Sequence, residues 1–286
     1  MANVQNERQT VRCTRRVFLG VCGGAALGGL GLAHYAWQVE PQRLLVSEIS
    51  LPAPVGAPVR LAFVSDLHLG PYVTLAEIER VVDTVNTLAP DLVLLGGDYV
   101  SRTAQTMLAL AGVLARLAAR AGVYAVLGNH DLWTDRELVQ RGLEATGARV
   151  LVNAGEVVET PGGPQYLAGL DDAWSGQPNY MRAMAAHRAG LPTILLQHEP
   201  DPAAERADDA RLLLQLAGHT HGGQVRLPLI GAPVLPLYGR RYVAGLYAVG
   251  HSHLYVTRGI GVITPPVRFN CPPEVALFTL TPQAAV

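Results

Sequence analysis

From Val59 onward the chain alternates short apolar runs with segments whose apolar residues recur every three or four positions. Val59 to Val64 has the uninterrupted pattern of a strand buried on both faces. Thr74-Leu75-Ala76-Glu77 is a capping box, and Leu75, Ile78, Val82, Val85 and Ala89 then mark one helical face until Pro90 stops it. Asp91 to Leu95 reads as a second strand, Thr103 to Arg120 as a second helix and Val123 to Leu127 as a third strand. A βαβαβ order predicts a parallel sheet with helices packed on it. A further capping box, Thr134 to Glu137, opens a helix to about Thr146. Strands dominate afterwards: Arg149 to Val152, Glu156 to Glu159, Gln165 to Leu170, Thr193 to Gln197, Leu212 to Ala217, Leu254 to Thr257 and Val275 to Leu280. The expectation is an α/β (α+β) domain over residues 59–286. Residues 38–58, with Pro41, Pro52, Pro54 and Pro58, read as a tether and an edge strand.

The N-terminus follows another rule. Arg8, Arg12, Arg15 and Arg16 stand against a single acid, Glu7, and no charged residue follows between Val17 and Val39. A basic stretch ahead of an apolar one is an export leader. Arg15-Arg16-Val17-Phe18-Leu19 resembles the twin-arginine signal, and glycines at 20, 23, 24, 28, 29 and 31 dilute the apolar helix. Residues 1–37 are therefore expected to be a twin-arginine signal or anchor. A plain transmembrane anchor is the alternative. The expected location is the outer face of the cytoplasmic membrane or the periplasm, with the twin-arginine export machinery as a partner.

Composition narrows the chemistry. All 22 basic residues are arginine, so mechanisms that need a lysine amine are excluded, including phosphate loops of the Walker type and Schiff bases. With 23 acids the net charge is -1, which gives no expectation of nucleic-acid binding. Of the three cysteines, Cys13 and Cys22 fall in the leader and Cys271 reads as a buried, inert thiol.

Polar clusters stand where the strands end. They are Asp66-Leu67-His68, Gly97-Asp98, Gly128-Asn129-His130-Asp131, His198 and Gly218-His219-Thr220-His221-Gly222-Gly223, the first three at intervals of 32 and 31 residues. Ligands in parallel α/β sheets bind off the carboxyl ends of strands, so the clusters are expected to converge. Carboxylates, imidazoles and an amide suit Mn, Zn or Fe, and eight candidate side chains are too many for one ion. Two ions sharing a carboxylate fit better, an arrangement that serves phosphate ester hydrolysis. His251 and His253 have ligand-like spacing but lie at a turn outside this pattern, and His34 and His187 read as non-ligands too.

The order Asp-x-His, Gly-Asp, Gly-Asn-His-Asp, His, Gly-His-x-His resembles the calcineurin-like metallophosphoesterase superfamily. The resemblance runs from Asp66 to Gln224 and implies a four-layer αββα sandwich, two mixed sheets flanked by helices. It implies two divalent ions, one held by Asp66, His68 and His221, the other by Asn129, His198 and His219, with Asp98 bridging. His130 would sit beside them and protonate the leaving oxygen or donate to the phosphate. The implied reaction is phosphodiester hydrolysis by a metal-activated hydroxide.

Gly97 to Arg102 also looks like a block of protein Ser/Thr phosphatases, but Thr103 and Asp131 depart from that pattern. The arginine pair together with Arg268-Phe269-Asn270-Cys271-Pro272-Pro273-Glu274 resembles bacterial membrane-associated phosphodiesterases of the superfamily. That likeness implies a phosphodiester substrate, lipid-linked if the membrane is its source. A UDP-2,3-diacylglucosamine pyrophosphatase-like hydrolase of lipid A synthesis is the alternative, which an export leader disfavours. A metal-binding scaffold without catalysis is a second, disfavoured because no ligand position is missing. Arg240 and Arg241, behind the apolar stretch Leu227 to Tyr238, are candidate substrate-binding residues. The stretch itself reads either as a surface for an acyl chain near a bilayer or, as the pattern favours, a buried cover for the sheet. Asp171 to Trp174 is a rim of the site or, more in keeping with its residues, a turn with a packed Trp.

Overall fold

The computed structural model describes residues 15–283. Arg8, Arg12 and Cys13 of the basic leader lie outside the described residues. Two six-stranded sheets face each other, and the alternation of side chains within single strands explains why. The first contains β1 (Leu45–Ala53), β2 (Val59–Val64), β3 (Leu92–Leu95), β4 (Val123–Ala125), β5 (Arg149–Val150) and β12 (Glu274–Pro282), in the order β1-β12-β2-β3-β4-β5. β12 runs parallel to β1 and antiparallel to β2, and the β2 to β5 pairs are all parallel. In β2, Leu61 and Phe63 enter the core between the sheets while Ala62 and Val64 face the helices; in β3, Leu92 and Leu94 go inward while Val93 and Leu95 go outward. With both faces covered, every residue of β3 is buried.

The second sheet is β6 (Ala154–Thr160), β7 (Gly163–Gly169), β8 (Thr193–Leu196), β9 (Leu212–Ala217), β10 (Gly245–Val249) and β11 (Ser252–Val256), in the order β10-β11-β9-β8-β7-β6. Its central strands are parallel and each edge is an antiparallel hairpin. β10 is an element the sequence reading passes over. Gly245-Leu246-Tyr247-Ala248-Val249 is an apolar run, but it forms an edge strand with alternate residues exposed.

The helices α2 (Leu75–Thr87), α3 (Met107–Leu114) and α4 (Asn129–Glu144) cover the outer face of the first sheet. α2 starts at its capping box: the Glu77 amide donates to Thr74 Oγ1 at 3.3 Å and the Thr74 amide to Glu77 Oε2 at 2.6 Å. α3 is shorter than Thr103 to Arg120. It is entered through a 3-10 turn at Ala104–Thr106 and stops at Leu114, after which the Asn86 side chain binds the Arg116 carbonyl and the Ala118 amide, at 2.8 and 2.9 Å. A side chain of α2 has replaced the next helical turn. α4 begins at Asn129, five residues before the predicted start, and breaks at Asp135, whose carboxylate accepts from the Leu138 amide at 3.0 Å and caps the second segment. On the far face of the second sheet, α5 (Tyr180–Ala183) and a 3-10 turn at Asp201–Arg206 make a thin fourth layer.

Before β1, a helix, α1 (Arg15–His34), leads through further turns to Gln42. No described helix is long and apolar enough to cross a membrane. β1 lies at the edge of the first sheet.

The Arg268 to Glu274 block is a buried latch at the end of the sandwich. The Arg268 guanidinium is fully buried and donates to the carbonyls of Cys271, Arg258, Gly259 and Gly261 at 2.6 to 3.1 Å. Glu274 accepts from Tyr255 and the Arg258 amide on one oxygen and from Ser47 and the Arg258 guanidinium on the other. Cys271 is buried, as expected, and burial raises its thiol pKa.

Burial opposes the charge of Glu274, yet Arg258 and Ser47 outweigh it and hold the carboxyl below the ordinary glutamate range. A depressed folded-state pKa adds stability above the unfolded value of about 4.3, which is lost as the pH falls through the folded value. Glu274→Gln should therefore destabilise the protein at neutral pH by about 3 kcal/mol, because it leaves Arg258 unpaired. Denaturant titrations should show the difference from wild type shrinking in acid, and a constant difference down to acid unfolding would contradict the latch.

Candidate metal centre

The carboxyl ends of β2, β3, β4, β8 and β9 deliver the predicted clusters to one place. Asp66, His68, Asp98, His219 and His221 all adopt left-handed backbone with φ between 48° and 70°, which costs about 1 kcal/mol each for residues with a Cβ. Hydrogen bonds compensate for this. The Asp66 amide donates to Gly97 O at 2.9 Å, the His68 amide to Asp98 O at 3.0 Å, and the His219 amide to Asp66 Oδ1 at 2.9 Å. The buried Asp131 carboxylate accepts from Gly128 and Asp98 on one oxygen and from Tyr99 and Val100 on the other, fixing the turn after β3 to the start of α4. Two glycines let these turns touch: a Cβ on Gly128 would fall 2.3 Å from Asp98 Oδ1, and one on Gly218 would fall 2.1 Å from Ser65 Oγ.

Three overlapping groups of donor atoms result, each with its atoms within 4.8 Å of one another: Asp66, His68 and His221; His68, Asp98 and His130; and Asp98, His198 and His219. Asp98 Oδ2 lies 3.3 Å from Nε2 of both His68 and His198, and its Oδ1 accepts from the His130 amide at 2.9 Å. Asn129 is buried at the first position of α4, next to His130, and its Oδ1 has no partner.

Carbonyl groups set the free ring nitrogens, because a carbonyl can only accept. His198 Nδ1 donates to Gly96 O at 2.7 Å, leaving Nε2 free; His219 Nε2 donates to Leu237 O at 2.7 Å, leaving Nδ1; His130 Nδ1 donates to Ser101 O at 2.9 Å, leaving Nε2. Burial lowers His68 to about 3 and His219 to about 4, and takes His221 well below the imidazole range. Neutral imidazoles of this kind present lone pairs. Burial opposes charge on Asp98 and His198 as well, but their mutual attraction pulls the carboxyl down and the imidazole up. Asp66 is raised by burial to about 6.

A divalent cation suits this set. Nε2 of His68 and Nε2 of His221 face each other at 3.0 Å, and Asp66 Oδ2 and Asn129 Oδ1 are buried without a hydrogen-bond partner. Nitrogen and oxygen acceptors converging without donors call for a positive charge between them.

Arg240 and Arg241 are placed differently. Both are exposed, with their backbone amides on Asp201, and the Arg241 guanidinium lies 5.2 Å from the centroid of the Tyr242 ring; neither joins the donor groups. Leu227 to Tyr238 is not a buried cover. Leu229, Ile230 and Val234 are exposed, because the stretch loops outward between Arg226 and Gly239 instead of lying on the sheet. Asp171 to Trp174 combines both readings: Asp172 Oδ1 accepts from the Trp174 and Ser175 amides as a turn, and the Trp174 ring stands 5.7 Å from His219 at the rim. His251 is exposed on the β10–β11 turn and His253 lies in β11, outside the donor groups.

Several contributors escape sequence reading. The Trp133 ring lies tilted 4.9 Å from His130 and edge-to-face 4.9 Å from Trp174, so two half-exposed indoles span from His130 to His219. Buried Glu199 accepts from the Ala173 and Trp174 amides and holds that wall in place. The Arg268 latch fixes the loop from which Ile260 and Gly261 donate to the carbonyls of Ser65 and Asp66. Trp174 is named by the rim reading and Arg268 by its block, Glu199 is signalled by standing directly after a candidate ligand, and Trp133 has no signal in the sequence.

Residues 59–255 match the calcineurin-like phosphoesterase family model. The chain is 38% identical to the Phosphodiesterase YaeI of Escherichia coli, over 93% of this chain and 99% of that one. It is 36% identical to the uncharacterized metallophosphoesterase YkuE of Bacillus subtilis, over 94% and 98%. A solved Thermus thermophilus protein, TT1561, matches with a TM-score of 0.50 at 15% identity, over 71% of this chain and 90% of that one, a likeness of fold alone. The two packed mixed sheets, the donor groups at their strand ends and the match over most of its length make this chain a member of the calcineurin-like phosphoesterase family.

Proposed function

We propose that the protein is a metal-dependent phosphodiesterase working with two divalent ions, Mn, Zn or Fe. The overlap of the three donor groups at Asp98 and His68 carries this reading, since it offers two adjacent places for a cation with one carboxylate between them. Asp66, His68 and His221 would hold one ion, Asn129, His198 and His219 the other, and Asp98 both. Such ions lower the pKa of a water held between them and offset charge on phosphoryl oxygens. His130, half-buried and fixed on Ser101, turns Nε2 to the site and would pass a proton to the departing oxygen. Trp133 and Trp174 would flank the ester group that is not cleaved. The name of the Escherichia coli relative supports a diester over a monoester.

On the Arg15-Arg16 pair and the uncharged, glycine-diluted stretch that follows it, we further propose that the enzyme is exported through the twin-arginine route to the cell envelope, is associated with the membrane and acts on a phosphodiester of lipid origin.

Metal analysis together with turnover of bis(p-nitrophenyl) phosphate tests the chemistry. Asp98→Asn should lower kcat by about 10³-fold or more, beyond the loss from any one outer ligand; two tightly held metals with near-normal turnover would refute the shared carboxylate. His130→Ala should keep both metals and lose about 10²-fold or more on esters with poor leaving groups, and much less on nitrophenyl esters. Equal losses on both would leave His130 without its proton-transfer role. For location, Arg15→Lys with Arg16→Lys should strand a folded, active enzyme in the cytoplasm, because the guanidinium pair and not charge alone is read. Active enzyme found outside the cytoplasm in that double variant would leave only a hydrophobic anchor.

A further inference from the structure

Leu227 to Gly239 is an exposed apolar loop with a direct tie to the metal centre. Its sequence holds no charged residue, and it is framed by Arg226 on one side and Arg240 and Arg241 on the other. Leu229 is 109% exposed, Ile230 72% and Val234 77%, with Leu227 and Leu237 also at the surface. Leu229 sits at φ +67°, a backbone position that favours glycine, and its side chain gains no packing in return. A leucine held at a strained, fully exposed tip stabilises nothing within the fold. Among the described residues none of the three guanidinium groups meets a carboxylate within 4.0 Å; Asp201 accepts the amides of Arg240 and Arg241 instead.

The base of this loop adjoins two other features. Leu237 O accepts from His219 Nε2 at 2.7 Å, so the loop's second limb ends on a candidate ligand. The Arg226 amide donates to Phe269 O and the Arg268 amide to Ala36 O, both at 2.8 Å, so the first limb and the chain leaving α1 attach to neighbouring residues of one segment. α1 itself exposes Leu19, Leu27, Leu30 and Leu32, and Trp37 follows, also exposed. Aliphatic side chains outside, two exposed arginines at their base without a carboxylate partner, and an exposed apolar helix whose exit at Ala36 is tied to the segment that holds the first limb suit an interface of low polarity edged with negative charge.

We propose that Leu227 to Leu237 docks the protein on the surface of an anionic lipid bilayer and turns the mouth of the metal centre toward it. Leu229, Ile230 and Val234 enter the boundary between headgroups and acyl chains while the exposed Arg240 and Arg241 meet lipid phosphates. His219 and the indole wall then face the headgroup layer, and a diester carried by a lipid reaches the metals without leaving the bilayer. This last consequence rests on the phosphodiesterase reading; the docking does not.

The test uses the full chain, so that α1 is present in every sample. Wild type and the double variant L229E/I230E are sedimented with vesicles of phosphatidylcholine containing a minority of phosphatidylglycerol. Wild type should bind, more weakly as salt rises, and the variant's partitioning should fall by about tenfold or more. Hydrolysis of bis(p-nitrophenyl) phosphate in solution should be equal in the two, while release of headgroup from phosphatidylglycerol vesicles should fall in the variant. Equal vesicle binding by both proteins would assign attachment to α1 and overturn the proposal. So would a wild-type dimer that the variant dissolves in sedimentation velocity without vesicle binding, which makes the loop a contact between copies. Loss of soluble turnover by metal-loaded wild type would refute the phosphodiesterase reading and leave the vesicle result to decide docking alone.

Discussion

The Asp98 carboxylate, buried between Nε2 of His68 and Nε2 of His198 at 3.3 Å each, is the charge around which the rest of the site is organised. A carboxylate taken out of water costs several kcal/mol unless hydrogen bonds or counter-charges replace what is lost. Asp98 has one amide, that of His130, and a ring of imidazoles, most of which burial holds neutral. That arrangement is under-satisfied for a protein on its own and well matched to a protein that holds cations.

Placing such a carboxylate sets demands on the scaffold. The turns after β2, β3 and β9 must bend back at left-handed residues, and glycines at 128 and 218 must leave room for the neighbouring turns. Asp131 holds four amides of two different turns, and the Arg268 latch braces a third segment against Ser65 and Asp66. The strain is local and the support is distributed. Two sheets sharing the core built around Phe63, Leu94, Leu196 and Phe278 provide the rigidity against which five strained positions persist.

Around this rigid centre the surface is built of other materials. The indoles of Trp133 and Trp174 make one wall, held by Glu199, and the apolar loop after His221 makes another border. Trp133 stands on α4, whereas Trp174 and the apolar loop stand on turns outside the sheets.

The sequence by itself determined the strands buried on both faces, since an uninterrupted apolar run has few other homes, and the start of α2, since Thr74 and Glu77 satisfy each other locally. It also named the side chains that stand at strand ends, but that the ends of β2, β3 and β4 meet those of β8 and β9 was decided by how the two sheets face each other. The tertiary structure alone decided where α3 ends, through the Asn86 side chain of another helix, and where α4 begins, through amides gathered by Asp131. It alone decided that the 227–238 stretch lies outside the sandwich and that Arg268 is a buried brace. Apolar content and charge state what a residue would gain from burial; which residues are buried depends on the space left by partners distant in the chain, and no local pattern encodes that space.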